Sequence, residues 1–129
     1  MRQLVYMSEA EPGLESSDIF QIVQTSAANN AKDGLTGFLL FRNGVFFQLV
    51  EGEQNALHGL LDRLERDMRH RHIRVIDDSE IEARAFAQWR MKRLRDDTAQ
   101  EAVADVAGAV ADERRRKTVV SLVERFYAA

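Results

Sequence analysis

The 129-residue chain contains no cysteine and a single proline, Pro12. Without cysteine it has no disulfides, thiolate metal sites or thiol nucleophiles, and cytoplasmic residence is the default expectation. Positive charge is not in excess, because 18 Lys and Arg are outnumbered by 21 Asp and Glu, so nothing predicts a nucleic-acid partner. No apolar run approaches the roughly 20 residues of a membrane span. We expect no signal peptide, because the N-terminus enters a strand-like run at once.

The clearest local pattern is a pair of apolar runs that flank Arg42-Asn43-Gly44. Asn-Gly predicts a tight hairpin, because both residues tolerate positive φ. The runs contain Phe, Leu and Val with little polar interruption, which is typical of central strands. Gln48 is the exception in the second run. An unpaired buried amide costs about 1–3 kcal/mol, so Gln48 either faces solvent or has specific partners.

Hydrophobic periodicity predicts the order β-α-β-β-α-β-β up to about residue 95. The first strand is placed at residues 3–7, the fourth from His72 irregularly towards Ala83, and the last between Phe86 and Leu94. This order is the split-βαβ pattern. We therefore expect a ferredoxin-like α+β fold, a mixed sheet with two helices on one face and its first and third strands central and parallel. The right-handed crossover rule sets its hand.

Two helices are predicted before residue 70. The first begins at the candidate caps Ser16, Ser17 and Asp18 and ends near Gly34, which can take the left-handed conformation. The second has five apolar side chains at helical spacing on its buried face: Leu57, Leu60, Leu61, Leu64 and Met68.

Residues 97–129 carry no strand signal and are rich in alanine. Two apolar stripes predict two helices: Ala102, Val103, Val106 and Val110 on the first, and Val119, Leu122, Val123 and Phe126 on the second. A charged break at residues 112–117 separates them. A helix that is apolar on one side needs cover, and the first two helices cover one face of the sheet only. We expect residues 1–96 to form one domain, and residues 97–129 to pack as two helices on its other face or to pair with another copy.

Six short motifs together resemble the BLUF family, the sensors of blue light that use FAD. The motifs occur here in the same order as in that family. Each motif alone is weak, and the resemblance runs over residues 2 to about 95. The motifs are Leu4-Val5-Tyr6-Met7-Ser8, Asn29-Asn30, Gly34-Leu35-Thr36-Gly37, Phe46-Phe47-Gln48-Leu49-Val50-Glu51-Gly52, Asp67-Met68-Arg69-His70 and Arg84-Ala85-Phe86-Ala87-Gln88-Trp89-Arg90-Met91.

The resemblance implies a set of residues around a flavin ring. Tyr6 is the phenol on the first strand beside the ring. Gln48 is the carboxamide between that phenol and the N5 and C4-carbonyl edge of the flavin. Asn30 would hydrogen-bond the pyrimidine edge of the ring, with Asn29 nearby. Ile22, on the first helix, is a further expected cofactor contact.

Three further residues with counterparts in the family lie on the second helix and the last strand. Arg63 matches a position near the ribityl-phosphate end of the cofactor, although a solvated arginine on a charged helix face gives the same pattern. Trp89 and Met91 match the pair that compete for the space beside Gln48, and which of them faces the flavin stays open. Arg90, between them, is bulkier than the small residue expected there, and it can tilt the strand or turn Trp89 outwards.

The chemistry of Tyr6 and Gln48 agrees with these roles. A phenol donates and accepts, and an amide has one end of each kind, so Gln48 can face Tyr6 in two orientations. The resemblance implies non-covalent FAD, with FMN or riboflavin as alternatives. It implies that light drives an electron from Tyr6 and a proton through Gln48, leaving the amide rotated or tautomerised. It also implies no enzymatic activity, and a signal that passes to an unidentified partner protein or within a homo-oligomer.

Two other functions remain open from the sequence. A phosphate hydrolase on this scaffold would need an anion-binding loop after the first strand, but residues 8–14 form no glycine-rich cradle, and no nucleophile-base pair is evident. A ferredoxin-like interaction module without photoactivity would not require Tyr6 and Gln48 together. Three histidines, His58, His70 and His72, lack a carboxylate that completes a metal set, and we expect them to be exposed.

Overall fold

A computed structural model describes residues 1–94 and 98–128 and shows the predicted α+β fold. Its strands are β1 (Arg2–Ala10), β2 (Thr36–Arg42), β3 (Val45–Gly52), β4 (His70–Glu80) and β5 (Lys92–Arg93). Its helices are α1 (Ser16–Lys32), α2 (Gln54–Arg66), α3 (Ala99–Ala109) and α4 (Glu113–Ala128). None of the helices in the described part of the chain combines the length and apolarity needed to cross a membrane.

The five strands form one mixed sheet in the order β4-β1-β3-β2-β5. The prediction that the first and third strands are central neighbours is confirmed, but the prediction that they are parallel is wrong, because β1 pairs with β3 antiparallel. The hairpin makes β3 antiparallel to β2. The α1 crossover returns the chain so that β2 has the same direction as β1, and β3 inserts between them. Only β2 and β5, among the described strands, pair in parallel.

The hairpin between β2 and β3 has the predicted tight turn. Asn43 has φ of 53° and Gly44 has φ of 78°, the positive values that a two-residue type I′ loop requires. Arg42 therefore pairs directly with Val45. The same register runs along the hairpin and places Leu39 opposite Gln48, so the turn determines which face of the sheet Gln48 occupies.

The helices mostly follow their predicted stripes, with differences at their ends. The cap of α1 is Glu15, and Asp18 accepts from its backbone N–H at 2.9 Å, so neither Ser16 nor Ser17 is the cap. Gly34 takes φ of 73°, as predicted. Met68 does not belong to the buried face of α2, because the helix ends at Arg66 and the side chain is 87% exposed.

The last predicted strand is much shorter in the structure. Only Lys92 and Arg93 pair with β2, whereas residues 86–91 form an irregular segment. The backbone N–H of Trp89 donates to the carbonyl of Phe86 at 2.9 Å, which is a turn contact rather than a ladder contact. Met91 has φ of 59°, a value outside the β region. Bulky residues had suggested an extended strand, but local turn bonds determine the backbone here.

The chain falls into two compact units, residues 1–93 and 94–129. In the first unit, α2 packs on the sheet through Leu57, Leu60 and Leu64, and α1 packs through a second apolar cluster. In the second unit, α3 and α4 contact each other. The predicted break at residues 112–117 is wrong, because α4 begins at Glu113. The predicted packing of the C-terminal helices on the sheet stays a prediction.

Candidate functional site

Tyr6 and Gln48 lie side by side on the helix-covered face of the sheet. They are direct partners in the β1–β3 register, and their side chains are 3% and 1% exposed. The hydroxyl of Tyr6 donates to Oε1 of Gln48. Burial raises the pKa of the Tyr6 phenol, and the positive charge of Arg63 opposes this shift only in part. The phenol is therefore protonated at neutral pH, as a hydrogen-bond donor must be.

The other end of the Gln48 amide contacts Met91. Nε2 of Gln48 donates to Sδ of Met91 at 2.7 Å, and Met91 is 4% exposed. Met91 also packs in the apolar cluster that contains Tyr6 and residues of α2. The Gln48 amide thus has a hydrogen-bond partner at both ends. Of the two possibilities that the sequence left open, exposure to solvent and specific buried partners, the structure shows the second.

Trp89 lies on the opposite face of the sheet. Its ring is 6.0 Å from that of Phe38 and 5.1 Å from that of Phe86, centroid to centroid. Phe38 pairs with Leu49, the neighbour of Gln48, so its side chain points away from Gln48. Met91 therefore contacts Gln48, whereas Trp89 packs with these phenylalanines. Arg90 between them is exposed.

Asn30 combines complete burial with an unpartnered amide. It is 0% exposed, and neither Nδ2 nor Oδ1 has a hydrogen-bond partner. Its backbone carbonyl accepts from the N–H of Leu35 at 2.8 Å, which ties the end of α1 to the start of β2. An unsatisfied buried amide costs about 1–3 kcal/mol, so this donor and acceptor pair indicates a polar ligand. Asn29, one residue earlier, has an exposed side chain.

Two further predicted contacts lie on the helices. Arg63 forms an ion pair with Asp33, Nη1 to Oδ2 at 3.0 Å, and its side chain is 41% exposed. Its positive charge partly opposes the rise in the Tyr6 pKa that burial causes. Ile22 is 2% exposed and packs with Leu39 and Phe46 on the sheet. The cofactor contacts assigned to Asn29, Arg63 and Ile22 stay predictions.

Glu51 and His70 are among the buried polar side chains that sequence reasoning missed, although both lie in the quoted motifs. Glu51 is 0% exposed and accepts hydrogen bonds from residues 85 and 86. The prediction that His70 is exposed is wrong, because its side chain is 4% exposed and its Nδ1 lies 3.1 Å from Oγ of Ser8. Strand alternation could have placed His70 inward had β4 been predicted to begin there. The described residues contain no group of three His, Cys, Asp or Glu that could hold a metal ion.

Comparison with known proteins identifies the family. A family model described as "BLUF: Sensors of blue-light using FAD" matches residues 1–92. The chain is 33% identical over 89 residues to photoactivated adenylate cyclase subunit beta of Euglena longa, an alignment that covers 68% of this chain and 10% of that protein. The chain thus spans about a tenth of the length of the curated relatives it matches.

Solved structures agree. The fold is similar to that of BlrB, a BLUF protein in its dark state, with a TM-score of 0.71 and 28% identity over 98% of this chain and 95% of that one. It is also similar to Klebsiella pneumoniae BlrP1 in a manganese and cyclic diGMP complex, with a TM-score of 0.79 and 25% identity over 95% of this chain and 32% of that one. The chain belongs to the BLUF family, and it is a blue-light photoreceptor of the kind that uses FAD.

Proposed function

We propose that Tyr6, Gln48 and Met91 form the photochemical centre of this receptor, and that Asn30 holds the non-covalently bound flavin. The observation that carries the proposal is the amide of Gln48, which accepts from Tyr6 at one end and donates to Met91 at the other. No other buried side-chain amide among the described residues has a phenol at one end and a sulfur at the other. When bound, the flavin supplies blue-light absorption and a one-electron acceptor.

Asn30 fits the flavin by the chemistry of its free groups. An isoalloxazine pyrimidine edge presents carbonyl oxygens next to an N–H, and the Asn30 amide offers one donor end and one acceptor end. Both ends are buried and unpartnered, so binding such an edge would satisfy them without displacing an existing bond. Arg63 on α2, whose guanidinium is paired with Asp33, would favour a phosphate-bearing cofactor such as FAD over riboflavin by exchanging that carboxylate for a phosphate.

The Tyr6–Gln48 hydrogen bond provides a defined path for a proton. In the dark the proton is on Oη of Tyr6, because burial raises the pKa of the phenol. Loss of an electron makes a phenol strongly acidic, and the atom that receives the proton is Oε1 of Gln48. Return of the electron to Tyr6, and of the proton from Oε1 to Oη, restores both residues in their starting orientation. If the amide turns first, Nε2 faces Tyr6 and supplies the returning proton, and Gln48 keeps the transferred proton on Oε1 as the tautomer.

Turning the Gln48 amide exchanges its two hydrogen-bonding ends. In the observed orientation Oε1 faces Tyr6 and Nε2 faces the sulfur of Met91. A thioether sulfur is a weak acceptor, so the contact with Met91 costs little to break compared with an amide–carbonyl bond. We infer that this asymmetry lets the amide change orientation without opening the sheet.

We further propose that the domain formed by residues 1–96 is the sensor, that it has no enzymatic activity of its own, and that its signal reaches a partner protein. The helical extension at residues 97–129 is the proposed route of output, because α3 and α4 are amphipathic helices that belong to a compact unit of their own.

The test is the absorption spectrum of purified protein before and after blue illumination. Wild type should be yellow, and illumination should shift the flavin bands reversibly to the red. Gln48→Leu should bind flavin and lose the shift. Gln24→Leu, which changes an exposed glutamine on α1, should behave as wild type. A full red shift in Gln48→Leu would remove Gln48 from the photochemistry.

A further inference from the structure

We propose that Glu51 is a positioning residue for the Gln48–Met91 contact. It lies on β3, three residues after Gln48, and its side chain is on the opposite face of the sheet. It does not touch Gln48. Its carboxylate instead accepts hydrogen bonds from the backbone of the segment that leads to Met91, and in this way fixes the position of the Met91 sulfur. This inference rests on the proposed photochemical role of Gln48.

The Glu51 carboxylate has donors on both oxygens. Oε2 accepts from the backbone N–H of Ala85 at 2.6 Å. Oε1 accepts from the backbone N–H of Phe86 at 2.9 Å and from the hydroxyl of Thr36 at 3.1 Å. Two consecutive backbone N–H groups are thus held by one carboxylate, an arrangement of charge-assisted bonds that is stronger than a pair of neutral ones.

Arg84 strengthens the same link. Its Nη1 donates to the backbone carbonyl of Glu51 at 3.0 Å and to the hydroxyl of Thr36 at 2.8 Å. Thr36 pairs with Glu51 in the β2–β3 register, so both strands contribute to holding residues 84–86. The network joins the ends of the two central hairpin strands to the start of the irregular segment.

The segment then runs from this anchor to Met91 through few further backbone bonds. Trp89 donates to the carbonyl of Phe86 at 2.9 Å, and its own carbonyl accepts from Gly37 at 2.8 Å. Met91 follows with φ of 59°, a left-handed conformation that is unfavourable for a residue with a side chain. Such a conformation persists only where the surroundings enforce it, and the anchor at Glu51 is part of that enforcement.

The chemistry of the anchor favours positioning over stability as its main effect. A buried charged group pays a desolvation penalty, and well-packed apolar residues of similar volume often give equal or greater stability. A carboxylate that accepts from two neighbouring N–H groups, however, specifies the direction of the backbone that follows. Phe86, whose backbone N–H donates to Glu51, is 1% exposed and packs against Phe38 and Trp89. The anchor therefore fixes the register of the segment on the sheet.

The test uses Glu51→Gln, with Glu53→Gln as the matched control. The amide of Glu51→Gln keeps one acceptor oxygen but sets an NH2 group against an N–H, so one of the two backbone bonds is lost and the segment should loosen by about tenfold in its local opening equilibrium. Glu53→Gln removes the same charge from an exposed residue at the start of α2. The first readout is the Met91 methyl resonance in the dark, with the other three of the four methionines as internal references.

The second readout is the time for dark recovery after illumination, in a double-mutant cycle with Met91→Ala. We expect Glu51→Gln to move the Met91 resonance and to change the recovery time at least threefold in the same direction as Met91→Ala. The double variant should recover as Met91→Ala alone, because Glu51 acts through Met91. Glu53→Gln should match wild type in both readouts.

Three results overturn the inference: an unmoved Met91 resonance in Glu51→Gln, a recovery time equal to that of Glu53→Gln, or additive effects in the double variant. If Glu51→Gln does not fold, Thr36→Val removes one donor to Oε1 and should move the Met91 resonance in the same sense by a smaller amount. A wild type without any light-induced shift would refute the proposed function, and the dark resonance would then decide the positioning role separately.

Discussion

The amide nitrogen of Gln48 lies 2.7 Å from the sulfur of Met91, although the two residues are 43 apart along the chain. The contact joins the central strand β3 to the irregular segment before β5. It also gives the amide of Gln48 a hydrogen-bond partner at each end, because Oε1 accepts from Tyr6. A change in the orientation of Gln48 must therefore alter a contact with a segment that is held by few backbone bonds. Under the proposed mechanism, this contact would be the first part of the backbone environment to change on illumination.

The first prediction separates Met91 from Trp89. Met91→Ala should keep the red shift but change the dark recovery time at least severalfold, because it removes the partner of Gln48 Nε2. Trp89→Phe should change recovery less than twofold, because Trp89 packs on the other face of the sheet. Flash absorption spectroscopy measures both. Equal effects from the two variants would show that the contact between Met91 and Gln48 does not determine the rate of dark recovery.

The second prediction concerns cofactor binding. Asn30→Ala should weaken flavin binding by roughly tenfold or more, because it deletes one buried donor and one buried acceptor. Each hydrogen bond lost in this way contributes about 1 kcal/mol. Gln24→Ala changes an exposed residue on the same helix and should leave affinity within about twofold. Fluorescence titration of flavin-depleted protein measures the dissociation constants. Wild-type affinity in Asn30→Ala would mean that the unpartnered amide serves some other ligand.

The third prediction concerns Gly37 in β2. A Cβ there would lie 1.9 Å from the backbone oxygen of Leu49, and φ is 145°. Gly37→Ala should destabilise the fold by about 2 kcal/mol or more, because overpacking and backbone strain each cost about 1–3 kcal/mol. Gly108→Ala, inside α3 with open space around its Cβ, should instead stabilise by up to about 1 kcal/mol. Urea denaturation gives both values, and a neutral Gly37→Ala would contradict the close approach.

The fourth prediction is a pH dependence that comes from His70. Burial lowers its pKa, the charge of Arg69 lowers it further, and Asp67 opposes both. The unfolded chain takes up a proton at this side chain below about pH 6.5, whereas the folded chain resists it. The free energy of unfolding should thus fall as pH drops below about 6.5 and be unaffected by His70 above that value.

The measurement for His70 is urea denaturation between pH 5 and 8. His70→Gln should flatten the decline below pH 6.5, while His58→Gln, at an exposed position on α2, should leave it as in wild type. Glu9 and Asp67 also have lowered pKa values, but their contributions are lost only at lower pH. An unchanged slope in His70→Gln would assign the decline to other groups.

Local patterns predicted the hairpin best. Asn43 and Gly44 adopt the positive φ values that their chemistry allows, and the alternation that follows places Gln48 on the face of Tyr6. The same reasoning placed Asn30 at the end of α1, where it is now seen to be buried. It failed at Met68, because a helix-period residue beyond the last hydrogen-bonded turn is not part of the helix face.

Errors were concentrated where contacts between distant residues decide the backbone. Residues 86–91 carry aromatic and apolar side chains typical of a strand, yet a turn bond and the left-handed Met91 interrupt it. Glu51 received no role from the sequence, because a sequence does not show that its carboxylate accepts from the N–H groups of residues 85 and 86. His70 looked exposed because its partner, Ser8, is on another strand.

The sequence by itself determined the order of the elements, the hairpin and the family, since turn propensity, periodicity and motif order are local properties that each segment carries alone. The tertiary structure decided that β1 and β3 are antiparallel, that Met91 rather than Trp89 meets Gln48, and that the Asn30 amide is buried without a partner. These facts depend on which side chains meet across the sheet. Such meetings are set by the packing of the whole chain, because the residues involved are far apart in sequence and have no direct influence on one another until the sheet has formed.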